Sequence, residues 1–573
     1  MTTTTAPSLH TGLRRVPFDR MPAFPALFTT YCIDYDRLAA FYAGDWRRPE
    51  ARRQAADRAA AHPRDRNLLA DILLEQNERW GLDHFTREHI EALRGAETVA
   101  VVTGQQVGLL TGPLYTPYKT LTTLQLTRRL AEETGRPVVP VFWLEGSDHD
   151  LDEVTGFTLL RRNEAVPLRY TGHALPEQGN LGPVGRLKLT EQITALLDQV
   201  EEVLPPSDFH ERLLTTLRAA YRPGTTLLDA FARFMRALFP EAGLVFMDPD
   251  DARLKQLAAP LFRREIEDYQ SASARLSEVS AVLERDFHAQ IHTRPTNLFL
   301  CDGEGRYPID AQPAPSHSRE VPASAGMTGK KARGGNFTLR GTDRAFTRDE
   351  LLARLDADVA CFSPNVVLRP LMQDWLLPTA AYVGGPGEVS YFAQLKPLYE
   401  WAGVPMPVIY PRASVSVLEA KVQKVLGKYA LDVSDFGKDL DPLFQRVVLQ
   451  EMDTDVEAMF KEAGRHLHQA INELKPKIEQ IDRTLVRSAE ATRAGLIKEM
   501  DKLKGRLVRA EKQNHDQVRA QLEKAMINLY PGGKPQERAL SVLYFLNKYG
   551  LNFLAVLNDQ LSLDTAEHQV IEL

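Results

Sequence analysis

The sequence predicts an α/β core built on parallel strands, followed by an α-helical coiled coil. Three observations carry this prediction. Short β-branched apolar runs end in glycine-rich or acidic loops, each followed by a helical pattern. A Leu/Ile seam with spacings of four and three recurs toward the C-terminus. The length, 573 residues, exceeds what one core usually holds. Charged residues at 25% and hydrophobic ones at 43% are ordinary for a globular chain and argue against global disorder or a collagen repeat. The 70 Lys plus Arg against 76 Asp plus Glu, net −6, argue against a generally basic nucleic-acid binder.

Residues 50–95 are charged, Ala- and Leu-rich and apolar at spacings of three and four, which predicts amphipathic helices packed on a sheet. TVAVVTG (98–104) reads as a strand, then a polar glycine loop, then a helix from Pro117 to Glu133 with Thr116 as its N-cap. A second buried strand, PVVPVFWL (137–144), ends in EGSDHDLDEV. Strand, loop, helix, strand, loop is the order of a Rossmann-like unit. EAGLVFMDPDD (241–251) repeats the rhythm before a helical run, and TNLFLCD (296–302) adds a strand. Residues 311–335, rich in Pro, Ser, Gly and Ala, predict an exposed, mobile insertion. AAYV reads as a strand with Gly384-Gly385-Pro386-Gly387 as its turn, Glu388 to Trp401 as a helix and VPMPVIY as a further strand, so the core is expected to span 1–412.

Residues 413–530 predict the coiled-coil domain. Leu467, Ile471, Leu474, Ile478, Ile481 and Leu485 form a seam that Leu496, Met500, Leu503 and Leu507 resume. Residues 451–530 hold 15 Lys plus Arg against 14 Asp plus Glu, a balance that fits a solvated coiled coil better than a nucleic-acid-binding helix. Ser488 to Thr492 interrupts the seam and predicts a hairpin turn, one long helix with a kink at Pro476 being the alternative. Residues 531–573 are apolar enough to dock back on the body. The N-terminal MTTTTAPSLHTGLRRVPFDR has no apolar stretch behind its basic residues, and the longest apolar runs are too short to span a bilayer, so a cytoplasmic location with no membrane partner is expected. Cys32, Cys301 and Cys361 are widely separated with no CxxC spacing, which predicts buried inert thiols rather than a disulfide or a zinc site.

Four clusters could carry chemistry. Thr103-Gly104-Gln105-Gln106, with Gly112, Tyr115 and Lys119 behind, combines glycines that let backbone approach a ligand with a following helix start that favours anions. It lacks the GK[ST] of a Walker A loop and the GxGxxG fingerprint, and a tight turn alone is the other reading. Trp143, then Asp148, His149 and Asp150, follows a strand adjacent to the first; such a cluster can move protons or hold a divalent ion, or simply cap a helix. Arg369, Gln373, Asp374, Gly385, Gly387 and Glu388 form a third candidate, Arg369 and Lys119 being suited to carboxylate or phosphate. Gln536, Arg538, Asn547 and Tyr549 either contact a cofactor or hold the C-terminal segment in place.

Together VVTGQQVGLLTGPLYTPYKT, PVVPVFWLEGSDHDLDEV, LRPLMQDWLLPTAAYVGGPGEVSYFAQL, VPMPVIYPR and LYPGGKPQERALSVLYFLNKYG resemble the BshC family, cysteine-adding enzymes of bacillithiol biosynthesis. The resemblance runs from about Pro17 to Gly550 and departs at the 311–335 insertion. It implies a Rossmann-like core with inserted connecting segments, a coiled coil that mediates homodimerisation, and a ligase that joins cysteine to glucosaminyl malate in the last step. Amide formation from a free carboxylate needs activation, so ATP, with or without magnesium, is the expected co-substrate, although HxGH and KMSKS are absent. On this reading Thr103 to Lys119 cradles nucleotide or malate carboxylates, and Asp148, His149 and Asp150 position or deprotonate the glucosaminyl amine. A metal-dependent hydrolase or transferase using Asp148, His149, Asp150 and Glu153, and a coiled-coil scaffold without catalysis, are the alternatives.

Overall fold

The computed structural model describes residues 12–176, 180–303, 305–311, 337–437, 439–451 and 456–573. Most of the predicted insertion lies outside the described residues; the strands that bracket it, Gly305–Ala311 and Phe337–Leu339, pair antiparallel with Ile309 opposite Leu339. The chain divides into two compact units, one of residues up to Val417 together with 535–573, the other of 418–534.

The first unit is built on a five-stranded parallel sheet. Its strands are β1 (Val99–Gln106), β2 (Val138–Glu145), β3 (Val245–Met247), β4 (Thr379–Gly384) and β5 (Val408–Pro411). The spatial order is β5-β4-β1-β2-β3. Helices cover both faces, which is why these strands read as unbroken apolar runs rather than alternating ones. The helix Tyr115–Thr134 packs on β1 and β2, Pro49–Ala61 on β4 and Arg66–Arg79 on β3. Because β2 and β3 lie on one side of β1 and β4 and β5 on the other, the chain changes direction between β1 and β4, and the crevice at their carboxyl ends is where open α/β sheets bind ligands.

Local departures from expectation have local causes. The Tyr115–Thr134 helix starts before Thr116, because Leu110, Thr111 and Gly112 take left-handed backbone and Leu114 N–H donates to Leu540 O at 2.8 Å. Thr116 is therefore inside the first turn, where Pro117 costs no hydrogen bond. The predicted helix from Glu388 to Trp401 divides into Pro386–Phe392 and Lys396–Ala402, since Pro397 has no N–H to continue the first helix and suits the start of the second.

Residues 535–573 add the last strand, Glu567–Glu572, between Gly12–Pro17 and Val415–Leu418. Gln536 closes a pair of hydrogen bonds with the Val417 backbone, at 2.7 and 3.0 Å. Glu537 is fully buried and receives Arg412 through both oxygens, at 2.9 and 2.6 Å, together with Ser414 Oγ and Val415 N–H.

The second unit contains a helical hairpin, Val456–Ile481 and Leu485–Leu529. The turn falls at 482–484 rather than at the predicted Ser488–Thr492, because the Asp482 carboxylate accepts Thr484 N–H at 2.8 Å and Thr484 Oγ1 at 2.7 Å and stops the helix there. Ser488–Thr492 is helical, and Glu490 pairs with Lys475 across the hairpin. Pro476 is held within the first helix. Among the described residues, no helix is long and apolar enough to cross a membrane.

Candidate active site

A cleft of about 610 Å³ opens at the carboxyl ends of the parallel strands. β1 contributes Gly104, Gln105 and Gln106; β2 contributes Trp143 and Glu145; the turn after β4 contributes Gly385 to Glu388; Arg412 follows β5. A Cβ at Gly104 would lie 3.2 Å from Trp143 Cβ and 3.3 Å from its carbonyl oxygen, so glycine permits the close approach of these neighbouring strands.

One wall is an internally neutral lattice. Lys119, 2% exposed, donates to Gly104 O at 2.7 Å and Gln105 Oε1 at 3.0 Å and pairs with Glu388 Oε2 at 2.5 Å. Its three N–H groups are thereby matched. Burial pushes the Lys119 ammonium below its ordinary range, and Glu388 opposes that shift. Burial raises the Glu388 carboxyl, but the Lys119 charge, the Tyr382 hydroxyl at 2.6 Å and the Gly385 N–H at 2.8 Å more than offset it, leaving the group below its usual value. Glu388 also caps its own helix, so Lys119 and Glu388 shape the wall rather than offer free charge.

Free charge comes from three arginines. Arg369 lies over the Trp143 and Tyr382 rings, at 5.9 and 5.4 Å, and its Nη1 donates to Gln373 Oε1 at 3.0 Å. Its Nη2 is buried and has no hydrogen-bond partner among the described residues. Gln373 passes the chain to Asp374 Oδ1 at 2.8 Å, and Tyr399 OH meets Asp374 Oδ2 at 2.5 Å. Gln373 and Asp374 are buried behind the cleft, so they hold Arg369 in place and do not line the site themselves. Arg294 and Arg538 also line it, exposed, and neither side chain makes a hydrogen bond or ion pair with the described residues.

The acidic cluster is spent differently from expectation. Asp148 accepts Gln106 Nε2 at 2.7 Å and lies 3.5 Å from Arg306 Nη1 and 3.4 Å from His149 Nδ1. Burial raises its carboxyl, but His149 and Arg306 pull it well below the usual range, so it is ionised and a weak base. His149 Nδ1 is 3.1 Å from Arg306 Nη1, which leaves Nε2 as the ring nitrogen not engaged by this pair; the ring does not line the cleft. Asp150 is the N-cap of Leu151–Thr155, accepting Glu153 N–H at 3.1 Å, and does not line the cleft, which fits the capping reading. Glu153 does line the cleft. Its carboxyl is raised by burial and by Asp150 and Asp148, with Gln106 opposing. Among the described residues, no group of three or more His, Cys, Asp or Glu is placed to hold a metal ion.

Other candidates are structural. Thr103 Oγ1 donates to Val383 O at 2.9 Å, joining β1 to β4, and Gly112 serves a left-handed turn with φ of 66°. Tyr115 lines the cleft beneath Arg412, 5.8 Å from the guanidinium. Gln536 is bound to Val417, and Asn547 donates to Pro205 O at 2.8 Å and meets His210 Nδ1 at 3.0 Å; neither lines the cleft, nor does Tyr549, which stacks on Phe553. Of that group only Arg538 reaches it. Sequence reasoning missed Arg294 and Arg306; Arg306 is 4% exposed and 3.7 Å above the Phe299 ring, and it also binds Ser363 Oγ and Pro364 O. It comes from a different sheet, and nothing in its neighbouring residues distinguishes it.

Residues 14–413 match the family described as Bacillithiol biosynthesis BshC, N-terminal Rossmann-like domain, and residues 415–573 its C-terminal coiled-coil domain. A protein of Salinibacter ruber named "Putative cysteine ligase BshC" is 55% identical over 558 residues, covering 97% of this chain and 98% of its own. Proteins of the same name from Chloroherpeton thalassium and Koribacter versatilis are each 33% identical, over 95% and 97% of this chain and 97% and 99% of theirs. With the Rossmann-like sheet, the helical hairpin and near full-length similarity in agreement, the chain belongs to the BshC family of bacillithiol biosynthesis.

Proposed function

We propose that the cleft joins cysteine to the amine of glucosaminyl malate, the last step of bacillithiol biosynthesis, in an ATP-dependent amide ligation. The observation that carries this reading is the charge arrangement: the wall acids Glu388 and Asp148 are already paired, whereas Arg294, Arg369 and Arg538 are left for an anion. Malate carboxylates and a polyphosphate are both anions, and guanidinium groups suit them by paired N–H donation. ATP supplies the activation that a free carboxylate lacks. Arg369 and Arg538 neutralise and orient the anionic groups, and Glu153, its carboxyl raised by burial, accepts the proton the amine sheds on attack. The apolar seam of the hairpin joins two copies into a homodimer.

The deciding experiment is product detection by mass spectrometry with purified protein, cysteine, glucosaminyl malate, ATP and magnesium, each omitted in turn. Bacillithiol forms only in the complete mixture. Folded protein that yields none in that mixture refutes the ligase reading, and product without ATP refutes the nucleotide requirement alone.

A further inference from the structure

Among the described residues, four acids line the cleft, and they are held in different ways. Glu388 pairs with Lys119, Asp148 lies beside Arg306 and His149, and Glu153 is approached by Gln106. Glu145, the last residue of β2, is held by neutral donors alone. Its Oε2 accepts Trp143 Nε1–H at 3.0 Å and its Oε1 accepts Ser147 N–H at 3.1 Å. Side chains alternate along a strand, so residues 143 and 145 share one face and the indole reaches the carboxylate two positions on. Arg306 and Arg369 are near enough for the Glu145 charge to act on both, against their burial. Among the described residues, however, no cation comes within ion-pair distance of Glu145. The carboxylate is therefore fixed by two neutral N–H groups, half-buried, with its charge open to the cleft. The same indole lies beneath the Arg369 guanidinium. One ring thus has an anionic acceptor at its N–H and a cationic donor over its face, the two groups that the ammonium and carboxylate of an α-amino acid require.

We propose that Glu145 determines specificity for the cysteine substrate by receiving its α-ammonium group. The choice of cysteine rests on the ligase reading above; the class of ligand, an α-amino acid, rests on the placement of Glu145 and Arg369 about Trp143. Cysteine enters the ligation through its carboxylate and carries an amine of its own. An opposite charge beside that amine favours its protonated form. An ammonium has no lone pair, so the amine held at Glu145 does not act as a nucleophile, and its positive charge makes the neighbouring activated carbonyl carbon more electrophilic. The two amines in the cleft thereby meet different carboxylates: that of cysteine keeps its proton at Glu145, and the glucosaminyl amine gives one up to Glu153. Arg369, over the same indole, is placed for the carboxylate end of the amino acid. A thiol acid without an amine leaves Glu145 unmatched when it fills the subsite and binds one charge-assisted contact short.

The test compares cysteine with mercaptopropionate, which keeps the thiol and the carboxylate and lacks only the amine. Calorimetric titration of the full-length protein, with and without a non-hydrolysable ATP analogue, shows cysteine binding about ten- to hundredfold more tightly, as one charge-assisted contact gives. Glu145→Gln keeps the affinity for mercaptopropionate and brings cysteine down to it. A second readout uses wild-type protein alone: in NMR spectra of protein with isotope-labelled tryptophan, cysteine moves the Trp143 indole N–H signal, assigned by its absence in Trp143→Phe, further than mercaptopropionate does. Wild-type protein that binds the two thiols equally, or cysteine not at all, overturns the proposal. So does a Glu145→Gln protein that keeps the preference, or an indole signal that both ligands move alike. Selective binding of cysteine without bacillithiol in the complete mixture refutes the ligase reading and leaves the subsite; bacillithiol formed with no selectivity at Glu145 refutes the subsite and leaves the ligase reading.

Discussion

At the scale of single residues, burial and pairing separate groups that look alike in the sequence. Lys119, Arg369 and Arg538 are all cations near glycine loops, yet Lys119 is fully matched and Arg538 is not. If ATP is the co-substrate, as proposed above, Arg538→Ala weakens its binding about tenfold, roughly 1.4 kcal/mol, with an unchanged Tm; calorimetry that finds equal affinities removes Arg538 from the proposed nucleotide site. Glu265 shows the opposite extreme. Burial pushes its carboxyl up to about 8, and its Oε2 has no hydrogen-bond partner among the described residues, as a protonated group in an apolar setting would. Its folded value lies above its unfolded one, so the folded state holds the extra proton between about pH 4 and 8, and stability falls as pH rises through that window. Glu265→Gln should flatten the urea-denaturation profile between pH 5 and 8 by an amount on the order of a few kcal/mol. An unaltered pH slope would mean that Glu265 ionises freely.

At the scale of elements, the helical hairpin carries more apolar surface than its own partner helix covers. Leu474, Ile481, Leu485, Leu496, Leu503 and Leu507 are exposed, Ile481 to 82%, although they belong to the seam that the spacing identifies. Surface of this kind is normally covered by another chain. If two copies pair through this seam, as proposed above, the wild type sediments as a dimer and replacing Leu496 and Leu503 by Lys converts it to a monomer in sedimentation velocity; a dimer that survives puts the interface on another element, and a monomeric wild type removes the dimer. The seam was legible because a period of three and four survives any packing partner. The turn was misplaced because Ser488–Thr492 looks like an interruption, whereas the side-chain caps of Asp482 decide where the helix ends.

At the scale of the whole molecule, residues 535–573 are part of the α/β unit, and their charge completes its core. Arg412 and Glu537 are both buried, and Glu537 satisfies two guanidinium donors, a hydroxyl and an N–H at once. Removing one partner of such a pair strands the other. Glu537→Ala should therefore cost about 3–5 kcal/mol in urea denaturation and loosen Arg412 in the cleft. A loss below about 1 kcal/mol would show that water replaces the carboxylate.

The sequence by itself determined the order of strands and helices, the parallel sheet, the coiled coil and the glycine loops at the strand ends, because periodicity and turn chemistry are local and survive translation into any tertiary context. It also brought Gly104, Gln105, Gln106, Tyr115, Trp143, Arg369 and Gly385 to one cleft, since loops at the carboxyl ends of adjacent parallel strands must converge. Only the tertiary structure decided which charges are free. Lys119 is spent on Glu388, Asp150 on a helix cap and Asp148 on Arg306, a residue brought from another sheet. The strength of a charge depends on its partners and on the water it has lost, and both are set by segments distant in the chain.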